Sequence, residues 1–426
     1  MNANGNSADK KGKVLVIGGG ISGITAAIEA SEAGCEVLLV ETQAYLGGRV
    51  AQMNQYFPKL CPPACGLEIN FRRLRTSPRI RCLTLSDVEK ISVADGHYRV
   101  TIRRRPRRVN NKCTACGACV AACPVQRPDD FNYGMSSTKA IYLPFDAAFP
   151  LQYAIDASVC PGTQCGKCVP ACPYQAIDLE MKPETVEMEF QAVIWATGWA
   201  PYDAGKIDGL GFGTLPNVIT NVMMERLASA NGPTAGNIQR LSDGKPVHSV
   251  AFVQCAGSRD ENHLKHCSGV CCMGSLKQAR YVRQQYPDAD IYIFYIDIRS
   301  PGRLEDFYAA MQKDAKLHLI KGKVAKVTLD AASGDLLVEA EDILSGRRVS
   351  QKVELVVLAT GMVPATAADR VGASVGLQRD EHGFVTDEQP LSGLLAVGCA
   401  KRPEDVASCV RDATGTALKA LQSCVG

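Results

Sequence analysis

Short apolar runs recur along the chain, each stopped by small or polar residues, and they predict buried strands. Lys13–Ile17 (KVLVI) and Glu36–Val40 are the first two, and ITAAIEASEAG between them has the spacing of a helix. Runs at 193–198 (VIWATG), 250–254, 356–361 (VVLATG) and 394–398 (LLAVG) predict four more strands. Beyond Asp405 the apolar positions return to helical spacing. Strands covered on both faces read as continuous apolar runs, so the pattern predicts an α/β protein with parallel sheets. No uninterrupted apolar run approaches the roughly 20 residues that cross a bilayer, so any membrane link is expected through a partner.

The first predicted strand runs into Gly18-Gly19-Gly20-Ile21-Ser22-Gly23, and the second ends at Glu41. This strand–GxGxxG–helix–strand–acid order is a dinucleotide-binding pattern. Gly18 serves the tight turn, Gly20 lets the backbone approach a pyrophosphate, and Gly23 lets helix and strand pack. Amides at the helix start, with Ser22 among them, hold the phosphates, and Glu41 takes the ribose hydroxyls. Gly47-Gly48-Arg49 resembles the second glycine pair of the two-dinucleotide-binding, thioredoxin-reductase-like flavoproteins, and ATG after a strand is their signature. The resemblance implies FAD, with Thr197, Gly198, Gly361 and Gly398 added to its site. In that class the last strand normally ends in Gly-Asp, the acid contacting the ribityl chain; here Cys399 follows Gly398.

With 426 residues, 46% hydrophobic and 21% charged, the chain has ample core for two or three domains. A formal charge of +3 makes no case for nucleic acid or a membrane surface, and the interleaved aromatics of nucleic-acid binders are missing. Residues 1–13 are polar and lack a signal-peptide core. Nineteen cysteines without an export signal point to a reducing cytoplasm and metal ligation.

Eight of those cysteines form two quartets. Cys113-x2-Cys116-x2-Cys119-x3-Cys123-Pro124 is the first, and Cys160-x4-Cys165-x2-Cys168-x3-Cys172-Pro173 the second. In two-cluster ferredoxins the fourth cysteine of each run reaches across to the other cluster. One [4Fe–4S] cluster is thus expected on Cys113, Cys116, Cys119 and Cys172, the other on Cys160, Cys165, Cys168 and Cys123. After 250–254, where a nicotinamide-binding domain would carry a second GxGxxG, the chain reads Cys255-Ala256-Gly257-Ser258-Arg259, then Cys267, Cys271 and Cys272. Four cysteines within 18 residues predict a third [4Fe–4S] site, and the missing glycines argue against a self-sufficient NAD(P)H reductase. His263 and His266 are expected to be solvated and not ligands.

The expected architecture is a FAD domain split over 13–105, 181–245 and 362–426. A ferredoxin-like module, 106–180, is inserted in it, and 246–361 is a former nucleotide domain.

The stretches 46–70 (LGGRVAQMNQYFPKLCPPACGLEIN), 252–277 (FVQCAGSRDENHLKHCSGVCCMGSLK) and 194–202 resemble the HdrA family, the flavoprotein subunits of heterodisulfide reductases. Within it they look most like the QmoA-type flavoproteins of quinone-interacting membrane-bound oxidoreductase (Qmo) complexes. The resemblance implies an oxidoreductase subunit working in sulfur metabolism. It would exchange electrons with adenylylsulfate reductase, a haem-bearing membrane subunit, and a sister flavoprotein/Fe–S subunit. It would be cytoplasmic and held at the membrane by partners. The alternative is an HdrA-type core of a cytoplasmic heterodisulfide-reductase-like complex. The resemblance also puts Lys277, five residues past Cys272, near the flavin N5, where a cation would stabilise the reduced ring.

Cys61-Pro62-Pro63-Ala64-Cys65 is expected to be a structural turn near the flavin and not a redox dithiol. The run Arg103-Arg104-Arg105-Pro106-Arg107-Arg108, with Arg72, Arg73, Arg75, Arg79 and Arg81, is either a solvated face or a docking surface for an acidic redox partner.

Overall fold

A computed structural model describes residues 12–425; the polar residues 1–11, which supply most of the leader noted above, lie outside them. Five parallel strands make the first sheet, in the order Leu394–Ala396, Ala192–Trp195, Lys13–Ile17, Glu36–Val40, Ile80–Leu83. Alternate residues of the central strands feed opposite faces. Val14, Val16, Val37, Leu39 and Ile194 pack on one side with the helices Ile21–Glu32 and Val406–Val425. Leu15, Leu38, Val40, Val193 and Trp195 pack on the other, against an antiparallel meander of Ser86–Ala94, His97–Arg104 and Glu184–Phe190. Both faces are dry, which is why these strands read as unbroken apolar runs.

A second parallel sheet runs Val218–Thr220, Leu355–Thr360, Ser249–Ala256, Asp290–Tyr295, Leu317–Lys321, with its own meander of Val324–Leu329, Leu336–Asp342 and Arg347–Val353. The sequence reading places 181–245 in the FAD domain. Instead, Val218–Thr220 pairs with Leu355–Thr360, and the helix Asn221–Ala228 packs on the helix Cys271–Gln285. Two crossings join the sheets, Trp199–Pro201 and Met362–Pro364, which pair antiparallel.

Between the first meander's second and third strands lies the cysteine-rich insert. Its two short helices, Ala118–Ala122 and Cys168–Ala171, pack together, and the Val109–Ile177 bridge closes its base. An arm of this module around Phe131, and a second at Phe145 and Phe149, reach into the FAD domain's core, while Ser137–Lys139 and Ile141–Tyr142 between them pair back within the module. Among the described residues no helix is long and apolar enough to cross a membrane.

Candidate functional site

The carboxyl ends of both sheets open on one cavity of about 1210 Å³, larger than the roughly 300–1,000 Å³ of ordinary ligand sites. Gly18, Gly20, Ser22, Glu41, Gly48, Arg49, Thr197, Gly198, Lys277 and Cys399 line it. Gly23, Gly47, Gly361 and Gly398 stand behind the wall. A Cβ on Gly23 would fall 1.9 Å from the Gly18 carbonyl oxygen, and Gly18 holds φ +107° against the Ala196 carbonyl. Gly47 donates its amide to the Gly19 carbonyl at 2.8 Å. Gly361 packs on Ser258 and accepts the Tyr202 amide at 2.8 Å, which places it at the crossing between sheets.

Gly20 differs from these. Its φ is −74°, and a Cβ there would meet only the Gly48 Cα at 4.0 Å, so nothing in the folded chain demands a glycine. The space faces the cavity at the start of the helix Ile21–Glu32, where a pyrophosphate is expected. Thr197 adds a buried hydroxyl with no partner among the described residues. Glu41 holds the loop from the other side: Oε2 accepts the Gly19 amide and Oε1 the Gln43 amide, each at 2.7 Å. Burial pushes its carboxyl above the usual range, while those amides pull it down. Arg49 donates to the Trp199 carbonyl at 3.2 Å and the Tyr133 hydroxyl at 3.0 Å, with its guanidinium near both rings. The residues fit a dinucleotide flavin.

At the far wall, Lys277 Nζ lies 3.0 Å from Glu225 Oε1 and also donates to the Gln55 carbonyl. Glu225 accepts further from Gln278 Nε2 at 2.7 Å, the Asn54 amide at 3.0 Å and the Tyr281 hydroxyl at 3.3 Å. Glu225 is absent from the residues singled out by sequence. Its signal is the pair Glu225-Arg226, charged residues on the buried side of a helix that otherwise packs on apolar neighbours.

The insert gathers its cysteines in two groups. Cys119 lies within the electrostatic reach of Cys113 and Cys172, and the Tyr153 hydroxyl feels Cys113, Cys116 and Cys119. Cys168 lies within the reach of Cys160, Cys123 and Cys165, and those four line a small cavity with Ile141 and Ile155. The Ala176 amide donates to the Cys172 sulfur at 3.3 Å. Burial pushes the Cys119 thiol up to about 11 and raises that of Cys168. Thiols crowded in apolar surroundings keep their protons unless a cationic centre displaces them. Among the described residues no group of His, Cys, Asp or Glu is gathered for a single metal ion; a cube, with its iron corners apart, takes wider-set thiols. The donor chemistry fits [4Fe–4S] clusters.

The third group forms where the second sheet meets the cavity. Ser249–Ala256 shifts register after Val253, and Cys255 takes φ +57° in that irregularity. Cys271 and Cys272 open the helix Cys271–Gln285, and the Gly269 amide donates to the Cys267 sulfur at 3.3 Å. Cys271 feels Cys272, Cys255 and Cys267, and it also lines the large cavity. His266 lies outside the group: its ring packs near His382 and its Nε2 meets the Met362 carbonyl at 3.0 Å, and His263 pairs with the Tyr202 hydroxyl at 2.9 Å.

Several other candidates have local roles. Arg103, Arg104 and Arg105 pair with Glu89, Glu184 and Asp87 across the meander, and Arg107 is buried on the Gln152 carbonyl. Three arginines of the run are thus matched by carboxylates of their own meander and Arg107 by a backbone carbonyl. Cys61 and Cys65 flank the start of the helix Pro63–Thr76 beside the Tyr56 hydroxyl. Cys399 lies 3.7 Å from Cys409 through sulfur, and the Gly398 amide goes to Asp412 on the last helix at 2.8 Å.

Fold and site define a class: a thioredoxin-reductase-like, two-dinucleotide-binding α/β oxidoreductase fold carrying a ferredoxin-like insert. A family profile for FAD dependent oxidoreductases matches residues 13–59, and one for the 4Fe-4S binding domain matches 106–126. Among solved structures, Lactococcus lactis thioredoxin reductase superposes with TM-score 0.54 at 13% identity, covering 97% of this chain and 99% of that one. Thioredoxin reductase of T. acidophilum gives 0.53 at 12%, covering 98% and 100%.

Within that class the sequence relatives are HdrA proteins, the A subunits of heterodisulfide reductases. The chain is 37% identical to the second HdrA of the CoB–CoM heterodisulfide reductase of Methanopyrus kandleri, over 97% of this chain and 64% of that protein. It is 38% identical to the HdrA of the ferredoxin:CoB-CoM heterodisulfide reductase of Methanosarcina mazei, over 96% and 53%. The chain thus spans between half and two-thirds of these relatives' lengths. The comparisons favour the HdrA-type alternative over the Qmo-type reading.

Proposed function

We propose that the chain is the FAD- and iron–sulfur-bearing electron-transfer subunit of a heterodisulfide-reductase-type complex, fed and drained by protein partners and not by NAD(P)H. The observation that supports this most is Cys271. It belongs both to the wall of the flavin cavity and to a thiol group standing where a nicotinamide-binding glycine loop would be.

In this reading Gly18, Gly20, Ser22 and Gly23 form the pyrophosphate turn, Glu41 takes the ribose, and Gly48, Arg49, Thr197 and Gly198 border the rest of the FAD. Cys113, Cys116, Cys119 and Cys172 hold one [4Fe–4S] cluster and Cys123, Cys160, Cys165 and Cys168 another. Cys255, Cys267, Cys271 and Cys272 hold a third. When bound, FAD exchanges electrons in pairs or singly, and the clusters carry them one at a time. Lys277 supplies a cation at the cavity wall to offset negative charge arising there, while Glu225 fixes its ammonium. Arg49 closes the wall between Trp199 and Tyr133.

The relatives' names speak of a CoB–CoM heterodisulfide and of ferredoxin, so the partner classes proposed are a ferredoxin-like donor and a disulfide-reducing protein of the same complex. The second reading is a Qmo-type complex, cytoplasmic and held at the membrane by a haem-bearing protein, with adenylylsulfate reductase as redox partner. Resemblance of residues 46–70 and 252–277 carries it. Co-purification from the native cell separates the two: a haem-bearing membrane protein favours the second, a soluble disulfide reductase the first.

The test of the main reading is anaerobic mixing with NADH, then NADPH, then dithionite. Bleaching of flavin and clusters by dithionite alone is expected. Rapid bleaching by either pyridine nucleotide would overturn it.

A further inference from the structure

We infer that Arg259 tunes the third thiol site: its guanidinium holds that site's reduction potential above the value that four thiolates beside Asp297 would set. The inference rests on reading Cys255, Cys267, Cys271 and Cys272 as a [4Fe–4S] site.

The loop after Cys255 is built to aim this side chain. Arg259, like Cys255, has a left-handed backbone, φ +54°, a conformation that persists in non-glycine residues only where the surroundings enforce it. The enforcement is visible. The Leu264 amide donates to the Gly257 carbonyl at 3.0 Å, the Asp260 amide to the Leu264 carbonyl at 3.0 Å, and the Arg259 amide to the His266 carbonyl at 3.3 Å. A turn pinned at three points sets Arg259 in the loop between Cys255 and Cys267, with its guanidinium on Asp297.

There it donates to the Asp297 carboxylate, with the Cys255 and Cys267 sulfurs in its electrostatic field. Asp297 is tied to the same site, since its backbone carbonyl lies 3.6 Å from the Cys272 sulfur. The carboxylate is shared with a second cation, Arg299, at 3.6 Å, so two positive charges face one negative charge beside the site.

Exposure decides which charge acts more strongly on the thiols. The Asp297 side chain is 48% exposed and the Arg259 side chain 25%, while Cys255 is buried. Water screens the carboxylate more than the guanidinium. One-electron reduction adds one negative charge to the site, and a neighbouring cation favours that reduced form. Arginine suits the place, because it keeps its charge at any pH the site would meet.

The test is a potentiometric titration of the anaerobically purified full chain, followed by electron paramagnetic resonance. In Arg259→Gln one cluster signal should become harder to reduce, by about tenfold in its reduction equilibrium or about 59 mV for one electron, while the others stay put. Arg259→Lys should recover most of the shift, and Asp297→Asn should move the same signal the opposite way. An unmoved signal in Arg259→Gln, with iron content intact, overturns the inference. If that variant fails to assemble, an unmoved signal in Asp297→Asn overturns it instead. Wild-type protein holding two clusters' worth of iron and not three would remove the site itself, a failure that the iron count tells apart from an unmoved potential.

Discussion

Lys277 and Glu225 form a buried ion pair across the cavity wall, Nζ to Oε1 at 3.0 Å, with side chains 7% and 9% exposed. Removing one partner leaves an unmatched charge in a dry place, which typically costs about 3–5 kcal/mol. Lys277→Met should therefore lower the chemical-denaturation midpoint markedly. The double variant Lys277→Met/Glu225→Gln should regain part of the loss, because the stranded carboxylate is gone. Equal destabilisation in single and double variants would mean that the pair does not act as a unit.

Cross-assignment of the two cysteine quartets makes a sharp prediction about iron. Cys116→Ala and Cys172→Ala should each abolish the same cluster, so combining them removes no more iron than either alone. Combining Cys116→Ala with Cys123→Ala should remove two clusters. Iron analysis with electron paramagnetic resonance checks both, and additive loss in the first pair would sink the assignment.

Glu41 predicts opposite pH trends for fold and flavin. Burial raises its carboxyl, so the folded chain binds that proton more tightly than the unfolded chain does. Its contribution to stability is full below the ordinary carboxylate range and is lost as pH rises through the raised value. Ribose binding takes the charged form, so FAD retention should rise with pH over that window. Flavin released on dialysis between about pH 4 and pH 8 measures it, and Glu41→Gln should release FAD with little pH dependence.

The glycines of the first turn should separate into two kinds. Gly23→Ala drives a Cβ to 1.9 Å from the Gly18 carbonyl oxygen and should destabilise even the flavin-free chain, by upwards of about 2 kcal/mol. Gly20→Ala meets open space; it should leave the flavin-free melting temperature nearly unchanged and weaken FAD retention. Thermal melts with and without flavin decide it.

Features set by local chemistry were legible in the sequence. Val14–Val16 and Val356–Leu358 read as buried strands because both faces of their sheets are covered, and the spacing around Cys113 and Cys160 reports loop geometry directly. What depends on distant partners was not legible. Arg103, Arg104 and Arg105 look like a basic patch until the meander sets Glu89, Glu184 and Asp87 against them. Val218–Thr220 carries too few residues to declare its sheet, and Leu355–Thr360, over a hundred residues later, decides it. Glu225 likewise gains its meaning only when the helix beginning at Cys271 brings Lys277 to it.

Arg226, fully buried beside Glu225, donates to Asn132 at 2.8 Å and the Gln52 carbonyl at 3.4 Å, and its guanidinium lies 4.6 Å from the Phe131 ring centroid. One side chain thus fastens the second sheet's helix to the FAD domain and to the arm leaving the cysteine module. A domain that carries a fixed redox centre has to keep still, because tunnelling rates fall steeply with every added ångström. For the third cluster proposed above, Arg226 makes the spacing from the flavin a property of the fold.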